Sequence, residues 1–305
     1  MSQRILLPTL ALLFVGTIVL GVVSWREAWS QTHPTRQAVG QPPTHFLGTL
    51  ATVSFQTDDG IRLEGWYAPA PNGQTAVVLL HPYGANRLAM LSRAALYHQA
   101  GLGVLLYDAR ASGNSSGAIN SVGYYEARDL LAALSWLRAH GVRDIVCHGW
   151  SQGGATILMA AEQLGEVRGV VLEAAFDTME HVIDRAFRHR VHLPGAIAGI
   201  FYTPMLEHLL GFDVDQFRPI DHAPSLRCPT LIVAGTADHS TWEVDTQQIV
   251  RAVHAPTKLW LIPKAEHQDL YDFAPDYYRR DVLGFVLHAL AAKSSTHTES
   301  ATRFE

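Results

Sequence analysis

Apolar runs that are unbroken rather than alternating, each followed by a stretch of helical pattern, limit this chain more than any other feature. The runs lie at residues 76–81, 103–108, 144–149, 167–173, 229–235 and 258–263, and helical patterns at 87–100, 124–140, 153–164 and 242–255 fall between them. A strand with one face in water alternates apolar and polar residues, so a run without that period is buried on both faces. Such strands separated by helices predict an α/β chain with a mostly parallel, doubly wound sheet. Ahead of them, residues 49–56 and 61–68 flank Asp59-Gly60, which is a hairpin signal. In open sheets of this kind ligands sit beyond the carboxyl ends of the strands, so the loops after the runs are where chemistry is expected.

The amino terminus is a separate unit. Residues 5–23 carry no charge and are rich in Leu, Val and Ile. About 20 such residues, at 1.5 Å rise each, cross a hydrocarbon core of roughly 30 Å. Trp25 and Trp29 follow where amphipathic aromatics settle at an interface. The pattern predicts a retained transmembrane anchor over residues 1–30. The competing reading is a cleaved signal peptide with Ala28 or Ser30 before the cut, although the apolar region of such a peptide usually has only about 7–15 residues. Arg4 and the amino terminus on one side, against Arg26, Glu27 and Arg36 on the other, favour a globular domain outside the cytoplasm. Residues 31–45, with Pro34, Pro42 and Pro43, read as a polar linker before a domain over 46–292. Within it, residues 177–226 are too long for a simple connection, which predicts a lid insertion or else a helix pair packed on the sheet. Residues 293–305 are polar without apolar period and predict a disordered tail.

Charge removes one class of partner. A formal net charge of -5 leaves no basic surface of the kind that nucleic acids need. The two cysteines, Cys147 and Cys228, each lie in or beside an apolar run, where a small buried thiol is the ordinary role.

The run at 144–149 passes straight into Gly149-Trp150-Ser151-Gln152-Gly153, followed by Gly154 and a helical pattern. G-x-S-x-G is weak alone; a strand before it and a helix after it make it specific, because the serine must sit at the apex of a sharp turn between small residues. A serine hydroxyl is a poor nucleophile at neutral pH and needs a base, and the base needs an acid to orient it. Among the 16 histidines, His267 stands just after the last apolar run, where loops converge on the serine. The acid is expected between them in chain order, and Asp238 follows the run at 229–235; Glu173 and Asp177, after the preceding run, are the rivals. A tetrahedral intermediate also needs two fixed N–H donors. Gln152, next after the serine, supplies one; the loop His81-Pro82-Tyr83-Gly84 supplies the other, and since Pro82 has no N–H the donor is Tyr83. Asp108 and Arg110 stand together beyond a run, and Arg110 is read as a brace for the neighbouring loop. His181, His189, His192 and His208 lack a ligand frame, so no metal is expected, and no cofactor.

These residues, with the loop 108–117 and Ala265 to Leu270, make the chain resemble the serine aminopeptidase-like and monoacylglycerol-lipase-like branch of the α/β hydrolases, including membrane-anchored acyl-protein thioesterase-like members. The resemblance spans roughly residues 50–290, and it departs from the usual glycines at Pro82 and Ala111. It implies a serine hydrolase acting on a small or lipid-like acyl substrate, an ester, thioester or amide. An aminopeptidase would need an acidic pocket, for which Asp213, Asp215 and Asp221 are candidates. A membrane-tethered interaction protein that has kept the fold and lost turnover is the alternative of another class.

Overall fold

The computed structural model describes residues 3–41, 50–191 and 198–292. The expected tail at 293–305, His192, and the part of the expected linker from residue 42 onward lie outside them. After a long helix α1 (Gln3–Thr32), the apolar runs form one eight-stranded sheet in the order β1-β2-β4-β3-β5-β6-β7-β8. Its strands are β1 (Ala51–Gln56), β2 (Arg62–Ala68), β3 (Thr75–Leu80), β4 (Gly103–Tyr107), β5 (Asp144–Trp150), β6 (Gly169–Glu173), β7 (Thr230–Gly235) and β8 (Thr257–Ile262). β1 and β2 form the expected antiparallel hairpin, turning where Gly60 takes a φ of +83°, and β2 pairs antiparallel with β4. From β4 to β8 every pairing is parallel.

The helices between the strands are α2 (Leu91–Gln99), α3 (Glu126–Ala139), α4 (Gln152–Met159), α5 (Met179–Val191), α6 (Ala198–Leu210), α7 (Pro219–His222) and α8 (Glu243–Ala252), with α9 (Leu270–Phe273), α10 (Pro275–Tyr277) and α11 (Leu283–Ala291) after β8. Strand β3 shows why the runs need no alternation. Ala76, Val78 and Leu80 join the core beneath α3, α4 and α8, while Val77 and Leu79 join the one beneath α2 and α11. The chain runs outward from β3 to β4, returns past β3 to β5, and then proceeds steadily to β8. That reversal opens a crevice at the carboxyl ends of β3 and β5.

The insertion supplies a third core. Leu206, Leu210, Phe212 and Phe217 pack with Phe176, Met179 and Ala155, one turn beyond Ser151 on α4. The described part of the insertion therefore packs beside α4 and the turn at Ser151.

The expected linker is different from a free spacer. The helix continues through Thr32, whose side chain is buried, and Val39 is buried in the core beneath α2. Residues 31–41 lie on the globular domain because polar groups of the loops 83–86 and 114–120 bind their backbone. Proline content signalled an extended chain but says nothing about what that chain lies against.

Candidate active site

Ser151 stands between β5 and α4 with φ 52° and ψ -112°, a conformation that non-glycine residues avoid. The glycines around it explain how the turn closes. A Cβ at Gly149 would collide with the backbone of Gly153, one at Gly153 with the backbone of Leu80, and one at Gly154 with the Ala175 side chain. The strand-to-helix turn is held from below: the Ser151 N–H donates to the Glu173 carbonyl at 2.7 Å, and the Ala155 N–H to the Ser151 carbonyl at 3.1 Å. The strained apex thus presents Oγ at the crevice with the residue 9% exposed.

The structure brings Ser151, His267 and Asp238 together. Ser151 Oγ lies 3.0 Å from His267 Nε2, and His267 Nδ1 lies 2.8 Å from Asp238 Oδ2. Asp238 sits in the turn after β7, where Oδ1 accepts the N–H groups of Ser240 and Thr241 and Oδ2 accepts the Thr241 hydroxyl at 2.6 Å. Burial pushes this carboxyl up, but the bonds from His267 and Thr241 outweigh it and hold Asp238 below the ordinary carboxylate range. An ionised carboxylate only accepts, so Nδ1 carries the proton and Nε2 is left with a lone pair toward Ser151. The His267 loop is fixed to the Asp238 loop by backbone bonds, the Ala237 N–H donating to the Ala265 carbonyl at 2.9 Å.

Neither rival acid reaches His267. Glu173 is fully buried and paired with Arg93 and His148, and Asp177 accepts from the Thr178 N–H and contacts His181 Nδ1 at 2.7 Å. On the other side of the crevice, residues 82–85 form a turn closed by the Ala85 N–H to the Pro82 carbonyl at 3.3 Å, with Gly84 at φ +71°. His81 locks the base of this loop, contacting the Pro82 carbonyl through Nδ1 at 2.8 Å and accepting the Ala109 N–H on Nε2 at 3.0 Å. Tyr83 thus follows β3 and Gln152 opens α4, on adjacent parallel strands β3 and β5.

Comparison with known proteins agrees with this architecture. A family profile described as alpha/beta hydrolase fold matches residues 75–218. The chain has the α/β-hydrolase fold. The Pyrococcus furiosus esterase Pf2001 superposes with a TM-score of 0.72 at 22% identity, over 85% of this chain and 98% of that one. The uncharacterized protein Rv2307c of Mycobacterium tuberculosis is 29% identical over 86% of this chain and 88% of its own. The uncharacterized membrane protein YNL320W of Saccharomyces cerevisiae is 33% identical over 44% of this chain and 49% of its own.

Other residues singled out from the sequence are braces. Asp108 and Arg110 do not pair with each other: Asp108 holds Arg87 at 2.7 Å and the Asn114 N–H, while Arg110 holds Asp129 at 2.7 Å and Asp59 at 2.8 Å. Ala111, where relatives resembled by the sequence carry glycine, takes a φ of 55°. Asp177, His181 and Asp245 lie close enough to share a cation, yet Arg185 already pairs with Asp245 and supplies positive charge there. The His208 ring lies tilted 6.2 Å from that of Trp25 on α1, and His189 stacks on His239 at 6.4 Å.

Sequence reasoning missed Arg93. This fully buried side chain donates to Glu173 through Nε at 2.8 Å and to Asp269 at 2.9 and 3.1 Å, and its guanidinium lies over the Trp150 ring. It joins β6, beside the Ser151 turn, to the loop that carries His267. A signal was present, since Met90, Arg93, Ala94 and Tyr97 share a helical face that is otherwise apolar, but nothing in one sequence names the partners.

Proposed function

We propose that the protein is a serine hydrolase that cleaves an ester or thioester through an acyl-enzyme, with Ser151 as nucleophile, His267 as general base and acid, and Asp238 orienting the imidazole. One observation carries this reading: the unbroken chain of contacts Ser151–His267–Asp238, at 3.0 and 2.8 Å, on a strained turn. Ser151 Oγ attacks the acyl carbon while its proton passes to His267 Nε2. The oxyanion is met by the N–H groups of Gln152 and Tyr83, which carry no proton bookkeeping and are fixed before reaction. The tetrahedral species collapses as His267 protonates the leaving group, and water, deprotonated by His267, then releases the acid.

Part of α1 belongs to this reading. Its segment Thr9–Thr32 is long and apolar enough to cross a membrane, with mean hydropathy 1.8 in its most apolar stretch and none of that stretch buried in the protein. We take it as a single-pass anchor with the catalytic domain outside the cytoplasm. The aminopeptidase alternative gains little: Asp221 pairs with Arg218 at 2.7 Å, and the Asp213 carbonyl accepts from Gln216 in a short turn.

The test is labelling by a fluorophosphonate probe together with hydrolysis of nitrophenyl esters of graded chain length beside aminoacyl amides. Labelling of wild type but not of Ser151→Ala, with ester turnover lost in that variant, is expected. A folded wild-type protein that neither labels nor turns over any ester would make it a tethered interaction protein instead.

A further inference from the structure

We infer that the end of α1 and the strap after it, residues 28–39, are a positioning element of the Ser151 site, which holds the Tyr83 loop in place and requires the apolar helix to stay on the mature chain. The inference uses the hydrolase reading only for its effect on turnover.

The contact begins inside the helix. α1 runs alongside the lid helix α6: a Cβ on Gly21 would lie 3.9 Å from Met205, the rings of Trp25 and His208 are 6.2 Å apart, and Ala28 is fully buried in one cluster with Leu206 and Leu210. Both pairings advance in the same direction, so the helices are parallel neighbours over about two turns. An anchor that served only as a tether would not bury a residue against the lid.

The last turn then meets the oxyanion loop. The Tyr83 hydroxyl donates to the Gln31 carbonyl at 2.8 Å and approaches the Ser30 carbonyl at 3.4 Å. These carbonyls belong to the helix terminus, where no later turn supplies an N–H to them. Asn86, at the other end of the same loop, donates to the Gln37 carbonyl at 3.3 Å. The strap is pinned further along: the Asn120 N–H donates to the Thr32 carbonyl at 2.8 Å, Arg36 donates to Ser115 and Gly117 carbonyls, and Asn114 both accepts the Val39 N–H at 3.0 Å and donates to its carbonyl at 2.8 Å.

The loop that must present the Tyr83 N–H is therefore gripped at both ends by one segment. Within the loop, Gly84 at φ +71° sets the turn but adds no side chain to hold it. A cut after Ala28 or Ser30 would strip away the buried Ala28 and the helical turn that presents the Gln31 carbonyl to Tyr83.

Two variants of the full-length protein test this in membranes or detergent. Tyr83→Phe removes only the phenol oxygen; Asn114→Ala releases the strap at Val39 and touches no residue of the triad. Each is expected to lower kcat roughly 3- to 10-fold, the worth of one hydrogen bond, with KM unchanged. Affinity for a trifluoromethyl ketone, which mimics the oxyanion, should fall by the same factor. Backbone amides at 82–86 should exchange hydrogen faster while those at 149–153 do not. Wild-type kcat in both variants, or unchanged exchange at 82–86, overturns the inference, as does a mature amino terminus that begins at Trp29 or Gln31. If wild type itself neither labels nor turns over, the hydrolase reading fails, and exchange at 82–86 still decides the mechanical link: faster supports it, unchanged overturns it.

Discussion

At the scale of single residues, Ser151 carries a conformational cost, with φ 52° and ψ -112°. Backbone in a sparsely populated region stores about 1–3 kcal/mol, released only where the side chain allows another residue type. Ser151→Gly should therefore melt higher than Ser151→Ala by roughly 2–4 °C, about 1 kcal/mol for a domain of this size, while both lack turnover; equal melting temperatures would show that the apex is unstrained. In the proposed mechanism Asp238 acts through proton placement. Replacing it by Asn leaves a neutral side chain that can donate to Nδ1 and so favours the wrong tautomer. We expect Asp238→Asn to lower kcat by about 10⁴-fold, with Asp177→Asn close to wild type in a nitrophenyl ester assay, because Asp177 contacts His181 and not His267. The G-x-S-x-G turn at Ser151 was legible because a strand before it and a helix after it leave a local pattern, and the loop after the last run does bring His267 to 3.0 Å from Ser151. In the sequence Asp238 is preferred to Glu173 and Asp177 from position along the chain alone; the turn after β7 adds the contact with His267 at 2.8 Å.

At the scale of elements, β5, the Ser151 turn and α4 form one unit whose tightness is measured by its glycines. Gly153→Ala would push a methyl group into the Leu80 backbone, which cannot move without disturbing the parallel pairing of β3 with β5. Overpacking of this sort costs about 1–3 kcal/mol or more, so Gly153→Ala should lower the urea midpoint and probe labelling together. Behind the unit, Arg93 answers two carboxylates at once. Arg93→Met would leave Glu173 buried without its cation, a loss of about 3–5 kcal/mol, read as a drop in the urea midpoint. The strand and helix spans were legible to within a few residues because burial on both faces writes itself as unbroken apolar runs. The Arg93 network was not, since its members stand 80 and 176 residues apart and no local pattern links them.

At the scale of the whole molecule, two acids tie stability to pH in the same direction. Glu173 is pushed up by burial, but Arg93 and His148 reverse this and hold it at about 2, against 4.5 for the free group; Asp238 is likewise held low. A carboxyl whose folded pKa lies below its unfolded one stabilises fully above the unfolded value, and that stability is lost as pH falls through the folded value. Through these two groups urea midpoints should decline from about pH 5 downward, less steeply in Glu173→Gln; a variant with the wild-type slope would remove Glu173 as a source. The anchor makes a second prediction at this scale: full-length protein should stay with membranes through carbonate washing, and its intact mass should include residues 1–30. By itself the sequence determined the doubly wound sheet, the glycine-flanked turn at Ser151 and the apolar helix, because each depends on neighbours in the chain or on a period a few residues long. Only the tertiary structure decided which acid meets His267, that Asp108 and Arg110 serve different partners, and that residues 31–41 lie on the domain. Those outcomes depend on side chains meeting backbone groups from distant segments, and a polar strap reads the same in sequence whether water or a protein loop satisfies its carbonyls.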